Sequence, residues 1–126
     1  MLLIRATDPY DGRCFLLPPG GGVEFGETLD RAILREISEE LGLQLPSPRR
    51  LGMLESIFQF AGRTEHELVF VYEAECNDPA IGASEEIFIT ESNGERLPAR
   101  WYTLSDVAAT GLPLFPEGLL DLLVAG

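Results

Sequence analysis

Three glutamates, Glu36, Glu39 and Glu40, lie at i, i+3 and i+4 within GGVEFGETLDRAILREISEELGL, residues 21–43. On a helix that spacing sets them on one face, within roughly 100° of arc. Like charges so close oppose helix formation by roughly a few tenths of a kcal/mol per pair. Two readings follow from the residues alone. Such a face can simply be solvated, as acidic faces of acidic proteins commonly are. It can instead hold a hard divalent cation, because Mg²⁺ prefers carboxylate oxygens and keeps several waters. Taken without its surroundings, the helix favours the solvated face.

The elements around the acids are legible. Thr28 is a natural N-cap and Gly42 a natural helix stop, which predicts a helix over Leu29 to Leu41. Ile33, Leu34, Ile37 and Leu41 form an apolar face beside the acidic one, and Arg31, Arg35 and Ser38 take the remaining arc. Ala32, one turn before Glu36, leaves the acidic face uncrowded. Upstream, Pro18 and Pro19 fix the approach to Gly20, Gly21 and Gly22, where a turn or a close approach by another group is expected.

Glycines and acids together fit G-x5-E-x7-R-E-U-x-E-E-x-G-U, with U a bulky aliphatic. Gly21, Glu27, Arg35, Glu36, Ile37, Glu39, Glu40, Gly42 and Leu43 fill every specified place. At average residue frequencies such a match arises by chance on the order of 10⁻⁹ per start position. The segment resembles the signature of the Nudix hydrolases. The later strand order, the ARWYTL segment and the closing helix look similar to that family too.

The resemblance implies an α/β fold, an α/β/α sandwich with a mixed β-sheet. It implies hydrolysis of a nucleoside diphosphate linked to another group, with Mg²⁺ or Mn²⁺ as cofactor. Carried onto this chain, Glu36, Glu39 and Glu40 would hold the metal, with Glu39 and Glu40 the main ligands and Glu27 assisting directly or through water. Arg35 would orient glutamates by charge-assisted hydrogen bonds. Gly21 and Gly22 would let the loop and the diphosphate approach closely. In some relatives the general base lies on a later loop. The candidates here are Glu85, Glu86, Glu91 and Glu95, with Glu86 preferred because it opens a strand after a loop, although any one of them is more ordinarily a solvated acid. Family members usually carry a further strand before the first hairpin, whereas Met1 stands almost inside the LLIRA strand. Either the sheet lacks that strand, another segment fills the edge, or the native protein begins earlier. An uncovered edge would favour pairing with a second copy, hence a homodimer.

A competing reading keeps the fold but only binds a nucleotide or nucleotide sugar, as a sensor. Loss of the metal glutamates would mark it, and all are present, so the enzyme is preferred. A P-loop is excluded, since Glu27 stands where that motif needs lysine.

Length, 126 residues, suggests a single domain over 1–126, and 45% hydrophobic residues suffice for a core. The net charge of −12 argues against a nucleic-acid partner and is compatible with a metal-assisted site for a small-molecule diphosphate. Cys14 and Cys76 lack metal spacing and read as buried free thiols, which with the lack of a signal peptide or apolar span suggests a cytoplasmic protein without membrane contact. His66, the single histidine, suits a structural or surface role, and Trp101 a core position. Phe58, Phe60, Phe88 and Phe115 are candidates for a nucleobase pocket, which spacing does not separate from core.

Along the chain, residues 2–7 and 13–18 predict a hairpin around Asp11-Gly12. Pro46, Ser47 and Pro48 break the chain after the helix. Residues 51–60 and 66–76 read as strands joined by a turn over Ala61 to Thr64, the second with both faces largely covered. A loop over 77–84, a strand over 85–90, a turn at Asn93-Gly94 and a strand over Ala99 to Thr103 follow. Thr103 or Ser105 caps a short helix through Ala109. After a loop from Leu112 to Phe115, Pro116 suits the first position of a final helix, with Leu119, Leu120, Leu122 and Leu123 inward.

Overall fold

A computed structural model describes residues 1–76, 78–83, 86–91 and 93–125. The first hairpin forms as its turn residues dictate. Strands β1 (Leu2–Thr7) and β2 (Cys14–Leu17) pair antiparallel, with Gly12 at φ 75° in the turn. Helix α1 then runs Leu29–Leu41, as its caps require. The Thr28 side chain accepts from the Arg31 N–H, and Gly42 takes the left-handed conformation at φ 68°.

Strands β3 (Arg49–Phe60) and β4 (Arg63–Glu73) make a long second hairpin. Its turn is tighter than the sequence suggests. Ala61 and Gly62 alone reverse the chain, both at positive φ (54° and 78°), so β4 starts at Arg63. The short helix α2 (Pro79–Ala83) occupies a stretch expected to be loop. Strands β5 (Ile87–Thr90) and β6 (Arg96–Trp101) follow, then α3 (Leu104–Thr110), where Thr103 and Asp106 complete a reciprocal capping box. The last helix, α4, is Leu119–Ala125. Pro116 is not its first residue. It follows a cis peptide bond from Phe115, is buried, and sits three residues upstream. Of the four leucines expected inward, Leu119 is buried, Leu122 and Leu123 are half-buried, and Leu120 is exposed.

The main sheet has strand order β2-β1-β6-β5, all antiparallel. One parallel bridge, Leu16 to Leu114, makes it mixed. Through that bridge Pro113–Phe115 take the free side of β2: Leu16 N–H donates to the Pro113 carbonyl and Phe115 N–H to that of Leu16. The edge beyond β2 is therefore filled by a later segment. Side chains alternate across the sheet, so each face gathers its own core. Ile4, Ile89 and Ala99 pack with Leu41 of α1 on one side, and Leu3, Leu16 and Tyr102 with Val107 of α3 on the other. The result is the α/β/α sandwich.

The β3–β4 hairpin forms a separate two-stranded sheet. Only one of its faces is covered, contrary to expectation. Ser56, Phe58, Val69 and Val71 turn inward, while Met53, Ile57, Leu68 and Phe70 are exposed. Helix α4 supports the covered face, with Leu122 over Gly52 and Gly118 beside Leu54. The cysteines are free but half-buried rather than buried. Trp101 is also not core: it is partly exposed and its indole N–H donates to the Ile81 carbonyl, 2.9 Å, which ties α2 to the sheet. His66 lies on the surface against Glu55. Among the described residues no helix is long and apolar enough to cross a membrane.

Candidate active site

Helix α1 docks on the sheet through a stripe at 29, 32–33, 36–37 and 40–41, the 3.6-residue period of a packed helix. Two of the acids belong to that stripe. Glu40 is 8% exposed and Glu36 half-buried, whereas Glu39 lies beyond the stripe's edge in solvent. Leu34, expected on the apolar face, falls outside it and is exposed. The three glutamates thus form a gradient from interior to water rather than an even ledge.

Arg35 is the cation among them. Its Nε and Nη2 grip Glu27 bidentately at 2.6 and 2.9 Å. Nη1 donates to Glu36 (2.9 Å) and Glu39 (3.2 Å), and Nη2 donates to the Gly22 carbonyl (2.9 Å). A planar fork with five donors suits this sharing. The Arg35 fork, with help from the Glu24 backbone N–H, holds the Glu27 carboxyl down at about 2. Glu27, chiefly, raises the guanidinium's own affinity for its proton. Glu27 therefore pins the loop after the glycines to the helix.

Glu40 has no such partner. Its Oε2 is buried and unbonded in the described structure. Burial first, then the charges of Glu91 and Glu36, push its carboxyl up to about 8, with the Gly20 backbone N–H the one opposing influence. Glu91, half-buried just after β5, is itself raised by burial and then by Glu95 and Glu36. Glu86 lies at the other end of β5, exposed. Glu95 is exposed on the β5–β6 turn, and Glu85 lies outside the described residues.

The glycines differ in what they do. A Cβ on Gly21 would land on the Glu36 carboxylate, so the turn packs directly against that acid. Gly22 has open space where a Cβ would go and contributes its carbonyl to Arg35. Beside the turn opens a cleft of about 750 Å³ between the main sheet and the β3–β4 hairpin. Phe15, Phe58, Phe60 and Phe115 line it, in edge-to-face or tilted contacts with centroids 5.6–6.1 Å apart. Phe88 is elsewhere, exposed beneath the Arg96 guanidinium. At the cleft's helix end, Tyr72 donates to Asp30 at 2.6 Å with Arg50 alongside, and the Tyr72 bond, first, lowers the Asp30 carboxyl.

Among the described residues no three ligand side chains converge as a ready-made metal cage. The donor chemistry nonetheless fits a hard divalent ion: carboxylate oxygens throughout, one of them buried and unbonded. Phe15, Asp8 and Tyr72 were not singled out by sequence reasoning. An Asx turn at Asp8-Pro9-Tyr10 was the available signal for Asp8, and nothing local marked the other two.

The chain matches the family model described as NUDIX domain over residues 1–123. It is 54% identical over 43 residues to an ADP-ribose pyrophosphatase of Methanocaldococcus jannaschii, 34% of this chain and 24% of that protein. It is 34% identical over 68 residues to an oxidized purine nucleoside triphosphate hydrolase of Danio rerio, 54% of this chain and 42% of that protein. A putative nudix hydrolase 1 of Caenorhabditis elegans is 29% identical over 114 residues, 90% of this chain and 27% of that protein. The chain thus matches less than half the length of each of these curated relatives.

Proposed function

The chain belongs to the NUDIX family, and on that premise we propose that it is a divalent-metal-dependent pyrophosphohydrolase acting on a nucleoside diphosphate linked to another group. One observation carries the reading: a buried carboxylate oxygen of Glu40 with no partner, behind the glycine turn that lines an aromatic cleft. A buried carboxyl oxygen left unbonded is costly, and sites are where such costs are kept.

Glu36, Glu39 and Glu40 would hold Mg²⁺ or Mn²⁺, with Glu27 assisting, and the bound ion supplies positive charge to phosphoryl oxygens and acidity to water. Arg35 fixes Glu27 and Glu36 in advance through its fork. Gly21 leaves the Glu36 carboxylate its room. Glu91 is preferred to Glu86 as the proton acceptor, because it is half-buried and close enough to Glu36 and Glu40 for their charges to act on one another, whereas Glu86 is exposed at the other end of β5. Burial, chiefly, holds the Glu91 carboxyl above its ordinary range, which makes its carboxylate a stronger base toward water than an exposed glutamate. Water then displaces at phosphorus, the P–O–P link breaks, and two phosphorylated fragments leave. The phenylalanines offer flat apolar surface to a nucleobase.

A panel of ADP-ribose, oxidised dGTP and dinucleoside polyphosphates, assayed for phosphate or nucleotide release with Mg²⁺ and Mn²⁺, tests the proposal. Turnover of at least one is expected. Binding without turnover at every metal level would replace the enzyme by a nucleotide sensor.

A further inference from the structure

The two sheets share no strand pairing, yet the cleft between them needs a fixed width. At the end far from α1 the hairpin tips meet, and a buried carboxylate joins them with Arg13 and Tyr10 beside it. Asp8, directly after β1, is 3% exposed. Its Oδ1 accepts from the Tyr10 N–H of its own turn at 2.8 Å. Both of its oxygens accept from the Ala61 N–H of the other tip, at 3.2 and 3.3 Å. Arg13 Nη2 stands 3.6 Å from Oδ2 and also donates to the Gln59 carbonyl across the gap, 3.3 Å. The Tyr10 ring closes over Gly62 beside them.

Ala61 explains why an acid is needed here. In a two-residue turn with both residues at positive φ, the Ala61 N–H points away from the hairpin's own ladder. Asp8 satisfies that donor and in doing so clamps the second hairpin to the first. We propose that Asp8 is a positioning residue that latches the β3–β4 tip and sets the width of the aromatic cleft, rather than an acid that reads the substrate. Its oxygens already serve backbone donors and Arg13, so little acceptor capacity remains for a ligand. Phe58 and Phe60 ride on the latched strand opposite Phe15 and Phe115. Releasing the tip would spread those rings and weaken the grip on any flat group, whatever its polar edge. The inference rests on the cleft being the substrate site, as proposed above.

The test compares D8A and D8N with the unaltered protein, and adds G62A, which strains the tip itself because Gly62 sits at φ 78°, with the Tyr10 ring 3.3 Å from where its Cβ would stand. Amide hydrogen exchange at Ala61 reads the latch. Equilibrium binding of purine and pyrimidine nucleoside monophosphates reads the cleft, and the KM against kcat split reads turnover. In D8A the Ala61 amide should exchange at least tenfold faster, on the scale of a lost charge-assisted hydrogen bond. Binding should weaken about tenfold for both base classes, KM should rise by a similar factor, and kcat should stay within about threefold. D8N, which keeps one acceptor, should fall between. Faster exchange with unchanged binding would overturn the proposal. So would a loss confined to one base class with Ala61 protection intact, because Asp8 would then touch the ligand. If D8A does not fold, D8N and G62A decide by the same criteria. Absence of turnover in the unaltered protein would instead strike the hydrolase assignment, leaving exchange and binding to judge the latch.

Discussion

Replacing Glu40 by glutamine should stabilise the metal-free protein while abolishing its activity. The carboxyl is raised from 4.5 to about 8, first by burial and then by Glu91 and Glu36. In the unfolded chain it ionises near 4.5, so between those values the folded state binds more protons than the unfolded one. By linkage, stability falls as pH rises through that interval and the deficit is complete above about 8. At ~1.36 kcal/mol per unit the ceiling is about 5 kcal/mol. Relaxation and water penetration around a buried charge lower the effective penalty, so we expect E40Q to gain about 1–2 kcal/mol at pH 8 and almost nothing at pH 4.5. For a chain of this length that is a rise in Tm of roughly 3–8 °C. The assay is thermal unfolding in a chelator from pH 4.5 to 8.5, repeated with Mn²⁺. The ion should raise Tm in the unaltered protein, because it binds only the folded state, and should do so far less in E40Q. Turnover should drop by two orders of magnitude or more, on the order expected when a metal ligand is lost. Parallel pH curves in chelator, or equal Mn²⁺ stabilisation of both proteins, would refute the reasoning.

Three further outcomes are expected. G21A places a methyl on the Glu36 carboxylate; because that group is the free end of a side chain, Tm should hold within a few degrees while kcat falls about 100-fold or more. R35K keeps the charge but loses the fork on Glu27, so the Glu27 carboxyl should titrate closer to its ordinary value than the present value of about 2, observable by carbon-detected NMR. The stability that ion pair contributes is present above the ordinary carboxylate range and is lost as pH falls through about 2, so R35K should unfold at a higher pH in acid. E91Q should lower kcat by roughly 10²-fold and remove the acidic limb of the pH–rate profile, whereas E86Q should leave both close to unchanged; the reverse result would return the base to Glu86.

Local sequence determined the helix and its caps. Thr28, the 3.6-residue period and Gly42 act within a few residues of one another, so α1 is bounded at Leu29 and Leu41 by its own chemistry. The same holds for the first hairpin and for the box of glycines and acids, whose spacing sufficed to identify the family. Where local signals were shared between outcomes, reading failed. Pro79-to-Ala83 carries both breakers and helix formers and became α2, and an apolar alternation in β4 did not reveal that one face lies open. Tertiary structure alone decided the surroundings of the acids. Glu39 and Glu40 are neighbours 100° apart on one helix, and only the docking of α1 on the sheet turns one to water and buries the other. Arg35 finds Glu27 eight residues away, and Asp8 finds Ala61 across 53. Helix and turn are set by bonds along the chain, but a carboxylate's solvation, and with it the ease of its ionisation, is set by what the fold brings against it.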